Sequence, residues 1–142
     1  MDETRISATE DAIIAALKAT GLFQEIVSAG REGMVPPHRK PSASVVFLGD
    51  SDVGGNGQRS LDDELFGVIV SAVNKRGEKE AARNAYVLIA AAKLTLRGKT
   101  LGLSDIEPLR YVKGRLVGYS AGDIDYQLDF TARRIGAVQV PD

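Results

Sequence analysis

The chain has 142 residues, no cysteine, and 18 basic against 19 acidic side chains, for a formal charge of -1. Such a length suits a single domain over 1–142, able to bury roughly two-thirds of its unfolded surface with no covalent staple. The missing thiol excludes disulfides, thiolate metal sites and cysteine nucleophiles, and the balanced charge excludes a long-range field that would gather DNA or an anionic membrane.

The first residues, Met1-Asp-Glu-Thr-Arg, are acidic and lead into an amphipathic pattern, not into the basic and apolar regions of a secretion signal, so an unexported protein is expected. Ser7 and Glu10 have the spacing of a capping box, and Ile13, Ile14 and Leu17 recur at helical intervals until Gly21, which predicts a helix over Ser7 to Thr20. Leu22 to Ala29 is open between a strand and a docking turn. Arg31 to Pro41 holds Gly33, Pro36, Pro37 and Pro41 and is a loop, because proline removes backbone donors and fixes the backbone against both helix and central strand.

Val45, Val46, Phe47 and Leu48 form a β-branched and aromatic run closed by Gly49, the pattern of a strand apolar on both faces. Asp50 to Ser60, with Gly54-Gly55-Asn56-Gly57, predicts a long, exposed, mobile loop. A second central strand follows over Leu65 to Val73, with Phe66, Val68, Val70 and Ala72 on one parity. Both apolar stretches of the chain, Leu65 to Val73 and Tyr86 to Ala92, are far shorter than the roughly 20 residues of a membrane-spanning helix.

Glu78 and Glu80 suit the positive end of a helix dipole and Gly98 stops the pattern, so a second helix is predicted over Glu78 to Arg97. Its apolar face holds Ala85, Leu88, Ile89, Ala92 and Leu96, widened by Val87, Ala91 and Leu94, and leaves a narrow polar strip of Arg83, Lys93 and Arg97. A face that wide calls for cover from the first helix or from a neighbouring subunit. Leu109 to Val117 reads as a strand with a turn or bulge at Lys113-Gly114. Beyond Ser120-Ala-Gly122, Ile124, Tyr126, Leu128 and Phe130 alternate with Asp125, Gln127, Asp129 and Thr131, a strand with one core face and one face toward water or a partner. The expected fold is α+β: an antiparallel or mixed sheet of about four to five strands packed against two helices.

Candidate chemistry is sparse. Val45-Val-Phe-Leu-Gly-Asp-Ser51 resembles the first block of the GDSL (SGNH) hydrolases, which would make Ser51 a nucleophile. A serine needs a histidine to take its proton, and the single histidine, His38, lies upstream in the proline-rich loop instead of near the C-terminus. Asp50 and Asp52 imitate the start of a calcium loop, but Gly54 offers no side-chain ligand at the fifth position and Leu61 stands where a bidentate glutamate is required. Weak cation binding by Asp50, Asp52 and Asp62 is the most that pattern supports. The glycine cluster has neither a Walker spacing nor a dinucleotide fingerprint. Asp123, Asp125 and Asp129 read as a solvated or partner-facing row of carboxylates more readily than as a catalytic pair. Arg110, Lys113 and Arg115, like Arg133 and Arg134, form local basic patches without the interleaved aromatics of a nucleic-acid surface. No catalytic residue, metal site or cofactor is therefore expected.

Five pieces in order carry the likeness that bears on function: the amphipathic helix of Ile6 to Leu17, the strand Val45 to Leu48 with the long loop after it, Phe66-Gly-Val-Ile-Val-Ser71, the Ala-rich helix with its exit Leu94-Thr-Leu-Arg-Gly-Lys-Thr-Leu-Gly102, and Tyr126-Gln-Leu-Asp-Phe130. This plan resembles the phage tail terminator and tail completion proteins, the Mu-like minor tail proteins among them. The resemblance implies a structural, non-enzymatic protein of a phage or prophage tail, assembled in the bacterial host cytoplasm. It implies a homohexameric ring that caps the tail tube, ends tail polymerisation and presents a surface for head joining. The implied partners are copies of the chain, the tail-tube protein and a head-completion protein, with no membrane and no sequence-specific nucleic acid. The residues expected at such contacts are Asp50, Asp52, Asn56, Arg59, Asp125, Gln127, Asp129, Arg133 and Arg134. Alternatives are another head–tail connector or tail assembly component, a binding module outside phages, or a serine hydrolase acting through Ser51.

Overall fold

The computed structural model describes residues 3–28, 41–56, 59–73, 78–120 and 123–138. Its elements run α1 (Glu3–Ala19), β1 (Glu25–Ser28), β2 (Ser42–Asn56), β3 (Arg59–Val73), α2 (Glu78–Leu96), β4 (Arg110–Ser120) and β5 (Asp123–Val138). The strands make one sheet in the order β1-β2-β3-β5-β4. β1 runs parallel to β2, and the other neighbours are antiparallel. The expected α+β sheet backed by two helices is therefore present. His38 and the rest of the proline-rich loop before Pro41, and the turn residues Ala121 and Gly122, lie outside the described residues.

The core forms where period-2 and period-3.6 patterns meet. Phe66, Val68, Val70 and Ala72 of β3 sit beside Ile124, Leu128, Phe130 and Ala132 of β5 on one face of the sheet, all buried. Ile13 and Leu17 of α1 and Ala85, Leu88, Ala92 and Leu96 of α2 close over that face. The rings of Phe47 and Phe66 stand 5.5 Å apart and those of Tyr111 and Phe130 5.4 Å apart, both tilted, which extends the aromatic layer across the strands.

Three local expectations are corrected. Helix α1 begins before Ser7, so Ser7 and Glu10 do not cap it; the Glu10 carboxylate instead accepts a hydrogen bond from the Ser28 hydroxyl and ties the helix to β1. Within Leu22 to Ala29, left open between strand and docking turn, Glu25–Ser28 is a strand that pairs with Ser42 to Val45, and Ala29 lies outside the described residues. The largest correction concerns Asp50 to Ser60. Its described residues are strand and not loop: β2 continues through Gly49 to Asn56 and pairs with Arg59 to Leu65, and the outer half of β5 pairs with β3 as far as Val138, while Gly57 and Gln58 lie outside the described residues. The run of Gly, Asp and Asn is accommodated by bulges at Phe47/Gly49 and Asp52/Gly55. Gly49, at φ 140°, supplies the backbone conformation that the first of these bulges needs. At 15 residues each, β2 and β3 reach about 50 Å at roughly 3.3 Å per residue, so their outer halves project as an arm.

Candidate assembly interface

Charge is organised in two different ways in this molecule. Beneath the N-terminal half of α1, Arg134 of β5 is 5% exposed. Its guanidinium donates to both oxygens of Glu64, at 2.7 and 2.9 Å, and to Thr9 Oγ1 at 2.6 Å. It also donates to Asp105 and to the carbonyl of Arg5. Arg5 in turn holds Asp105 through Nε and Nη2 at 3.0 and 2.8 Å. Burial favours the neutral arginine, but the Glu64 and Asp105 carboxylates outweigh it and hold the Arg134 pKa above its ordinary value. Partial burial likewise pushes Asp105 up, and the bond from Arg5 together with the Arg134 and Arg5 charges reverses this, leaving its carboxyl below the usual range. One row outward, Arg133 grips Asp63 at 2.7 and 3.1 Å, and that bond holds Asp63 below the usual range.

The contact residues expected from alternation divide accordingly. Asp50 and Asp52 are exposed on the arm, with Asp52 Oδ1 accepting from the Gly54 amide at 2.7 Å. Asn56 and Arg59 are partners at the end of the hairpin ladder; their side chains lie outside the described set. Arg133 is half-buried and occupied by Asp63. Arg134 is not on the surface at all, because β5 continues past Phe130 and turns that side chain under α1. The outward face of β5 is also less open than its alternation implies. Gln127 and Asp129 are buried at 8% and 4% exposure, and Gln127 Nε2 donates to Asp129 Oδ1 at 2.8 Å. Central strands flanked on both sides leave little room for water even on an uncovered face. Asp125 is half-buried, with Oδ1 lacking a hydrogen-bond partner.

The uncovered apolar surface lies elsewhere. On α2, Tyr86, Val87 and Leu94 are 65%, 62% and 80% exposed, so the flank that widens the helix's apolar face has little cover among the described residues. On β4, which has no strand on its outer side among the described residues, Val112, Leu116 and Val117 are about half exposed. Between α2 and Tyr126 of β5, the strand that pairs with β4, runs a cleft of about 580 Å³, lined by Tyr86, Ile89, Ala90 and Leu94 with Lys93, Arg97 and Lys99 on its walls. Lys93 Nζ sits 4.5 Å from the Tyr111 ring centroid, a cation–π contact that leaves the ammonium without a carboxylate. Burial, with the neighbouring Tyr126 hydroxyl, pushes the Tyr111 phenol up. The signal for this region was present in the sequence as an overwide apolar helix face, but nothing in the sequence showed that the exposed part of α2 would stand beside the edge strand.

Ser51 is exposed on β2, in a shallow hollow with Leu48, Gly49, Asp50, Asp63, Leu65 and Thr131. Among the described residues, which do not include His38, no histidine lines that hollow, and Asp63 is already engaged by Arg133. Among the described residues no group of three or more His, Asp or Glu side chains has the geometry to hold a metal ion. No described helix is long and apolar enough to cross a membrane.

No family model matches the chain, and no curated protein matches it. Among solved structures, one similar chain belongs to the virion of a native gene transfer agent (GTA) particle, with 22% identity over 88% of this chain and 86% of that one and a TM-score of 0.49.

Proposed function

We propose that this protein is a structural subunit of a phage-like tail, which associates with copies of itself into a ring, hexameric by its resemblance to tail terminators, and caps the tail tube. The observation that supports the reading best is the paired uncovered surface of α2 and β4. Tyr86 and Leu94 of the helix line a cleft with Tyr126 of β5, and Leu116, the β4 partner of Tyr126, lies with Val112 and Val117 on an edge strand whose outer side is unpaired among the described residues. An isolated chain gains nothing by exposing large side chains beside an open strand edge, whereas a subunit gains the burial and the backbone pairing when a neighbour arrives. Ring formation needs a heterologous contact, in which two different patches meet and the rotation closes. The arm and the α2–β4 flank are two such patches on opposite sides of the sheet.

Termination and head joining then follow from geometry and not from catalysis: one ring face meets the tube and the other meets the head-completion protein. No catalytic group is required, and among the described residues Ser51 has no histidine in its hollow. The direct test is negative-stain imaging of the protein mixed with tail tubes. Density seated on one end of the tubes, with tube length fixed, is the expected result; bare tube ends with the protein dispersed as monomers would sink the reading.

A further inference from the structure

We infer that the occupant of the α2–β4 cleft is the acidic arm of a second copy of this chain, an inference that rests on the assembly reading and names its contact. Cleft and arm are opposite in charge. The cleft carries Lys93, Arg97 and Lys99 with no acidic residue on its walls. β4 holds no acid, and its exposed Arg110, Lys113 and Arg115 share the parity of Thr131, Asp129 and Gln127, so they lie on the face of the sheet away from the cleft and add only to the positive charge of the edge. None of these six bases forms an ion pair among the described residues. The outer part of β2, from Val46 to Asn56, carries Asp50 and Asp52 and no base, and Asp62 stands directly across from Asp52 on β3. Like charges facing each other across strands are unfavourable in an isolated sheet, so the arm is poised to accept a cationic partner.

Register decides which side of the arm carries the charge. Because a bulge separates Phe47 from Gly49, Asp50 pairs with Glu64 and Asp52 with Asp62. Glu64 shares the parity of Phe66, so Asp50, Asp52 and Asp62 lie on the helix-bearing face of the sheet. The cleft opens on that same face, since its floor residue Tyr126 shares the parity of Leu128 and its wall is α2. Strand directions agree as well. Passing from β2 through β3 and β5 to β4, every neighbour is antiparallel, so β2 and β4 run in opposite directions. Lys113 to Leu116 stand level with Val46 to Ala43 of the same chain, so a second copy set beside the first with helix faces on the same side, and displaced along the strands by roughly 20 Å, about six residues, brings the outer part of its β2 antiparallel to β4 of the first. Asp50 and Asp52 then face the cleft.

Both edges also supply apolar contact: Leu48 and Val53 on β2 are 43% and 41% exposed, and they meet Val112, Leu116 and Val117 on β4. The regular stretches between bulges, Gly49 to Asp52 on β2 and Lys113 to Leu116 on β4, are each long enough for a short ladder. The alternative pairings are disfavoured by the same charges. Two β4 edges would oppose Lys113 and Arg115 to one another, and two β2 edges would oppose Asp50 and Asp52, so the contact is head-to-tail and suits a ring.

The test is charge reversal read by sedimentation mass over a range of concentrations, with circular dichroism melts to establish that each variant is folded. An arm variant, Asp50→Lys with Asp52→Lys, and a cleft variant, Arg97→Glu with Lys99→Glu, change only exposed positions. Each alone should weaken self-association on the order of a hundredfold, since opposed like charges replace attractive ones. The chain bearing all four changes, or the two variants mixed, should recover association to within about tenfold of the native chain. Should a reversed chain not fold, Asp52→Asn and Arg97→Gln must show the same direction of change. Native association untouched by either reversal, or no recovery in the combination, overturns the arm-in-cleft contact and leaves the assembly reading standing. A native chain that stays monomeric at every concentration, with and without tubes, overturns both.

Discussion

Arg134 and Arg97 are both arginines near the ends of apolar elements, yet they stand in opposite circumstances. Arg134 is enclosed under α1, and each of its three guanidinium nitrogens donates to a partner among Glu64, Asp105, Thr9 and the Arg5 carbonyl. Arg97 is exposed on a cleft wall with Lys93 and Lys99 and no carboxylate beside it. The first holds one protomer together, because burying two charges is tolerable only when both are paired and hydrogen-bonded. The second makes no ion pair among the described residues, which leaves its charge open to a neighbour in the proposed contact. Charged residues in this chain therefore sort by whether their partner is already in the molecule.

The largest expected effect attacks the enclosed half of that contrast. Arg134→Met leaves Glu64, 2% exposed, as an uncompensated buried carboxylate, and should cost about 3–5 kcal/mol in denaturant unfolding. Changing Glu64→Leu in the same chain should return much of the loss, as an apolar pair of similar volume replaces the ionic one. Next in size is Gly114→Ala. A Cβ at Gly114 would run into the Tyr111 hydroxyl and lie 2.6 Å from the Tyr126 ring, which forms part of the cleft. Moving the two tyrosines aside should cost about 1–3 kcal/mol and weaken assembly as well, joining the two halves of the comparison in one residue.

Acid provides a smaller and signed effect. Asp63 and Asp105 titrate below the usual carboxylate range in the folded chain. The unfolded chain therefore binds more protons in acid, and the stabilisation from these two groups is whole above the unfolded value of about 3.9. It declines as pH falls past that value and is gone below the folded values. Unfolding midpoints measured between neutrality and pH 2 should fall with this profile, and Asp63→Asn should flatten part of the slope. The smallest effect on the protomer belongs to Leu94→Asp. At 80% exposure Leu94 contributes little to the single chain, so stability should stay within about 0.5 kcal/mol while association is lost.

Much of the architecture was readable from periodicity. Phe66, Val68, Val70 and Ala72 alternate as a strand that packs on one face, and Ala85, Leu88, Ala92 and Leu96 recur as the helix stripe that covers it. The bulge near Lys113-Gly114 was likewise visible, and β4 shifts register between Tyr111 and Lys113. Two misreadings share a physical cause. Gly54, Gly55 and Asn56 have poor strand propensity, yet they complete β2 because β3 and β5 supply a long ladder to pair with, and tertiary pairing outweighs local preference. Arg134 looked solvated because charge normally stays in water, and nothing in its neighbourhood along the chain announces that Glu64, Thr9 and Asp105 converge on it. Of the proposed contact surface, the overwide apolar face of α2 was plain in the sequence, but the place of its cleft beside Tyr126 of β5 depends on the strand order.

The central claim is that two separate edges of this protein are covered when copies meet. Amide hydrogen exchange, compared between dilute and concentrated protein, tests this most directly. The account predicts that protection rises together at Gly49 to Asp52 on the arm and at Lys113 to Leu116 on β4, while the amides of β3 stay as slow as in the single chain. Exchange that is the same at both concentrations on these two edges, while the mass of the particle rises, would contradict it.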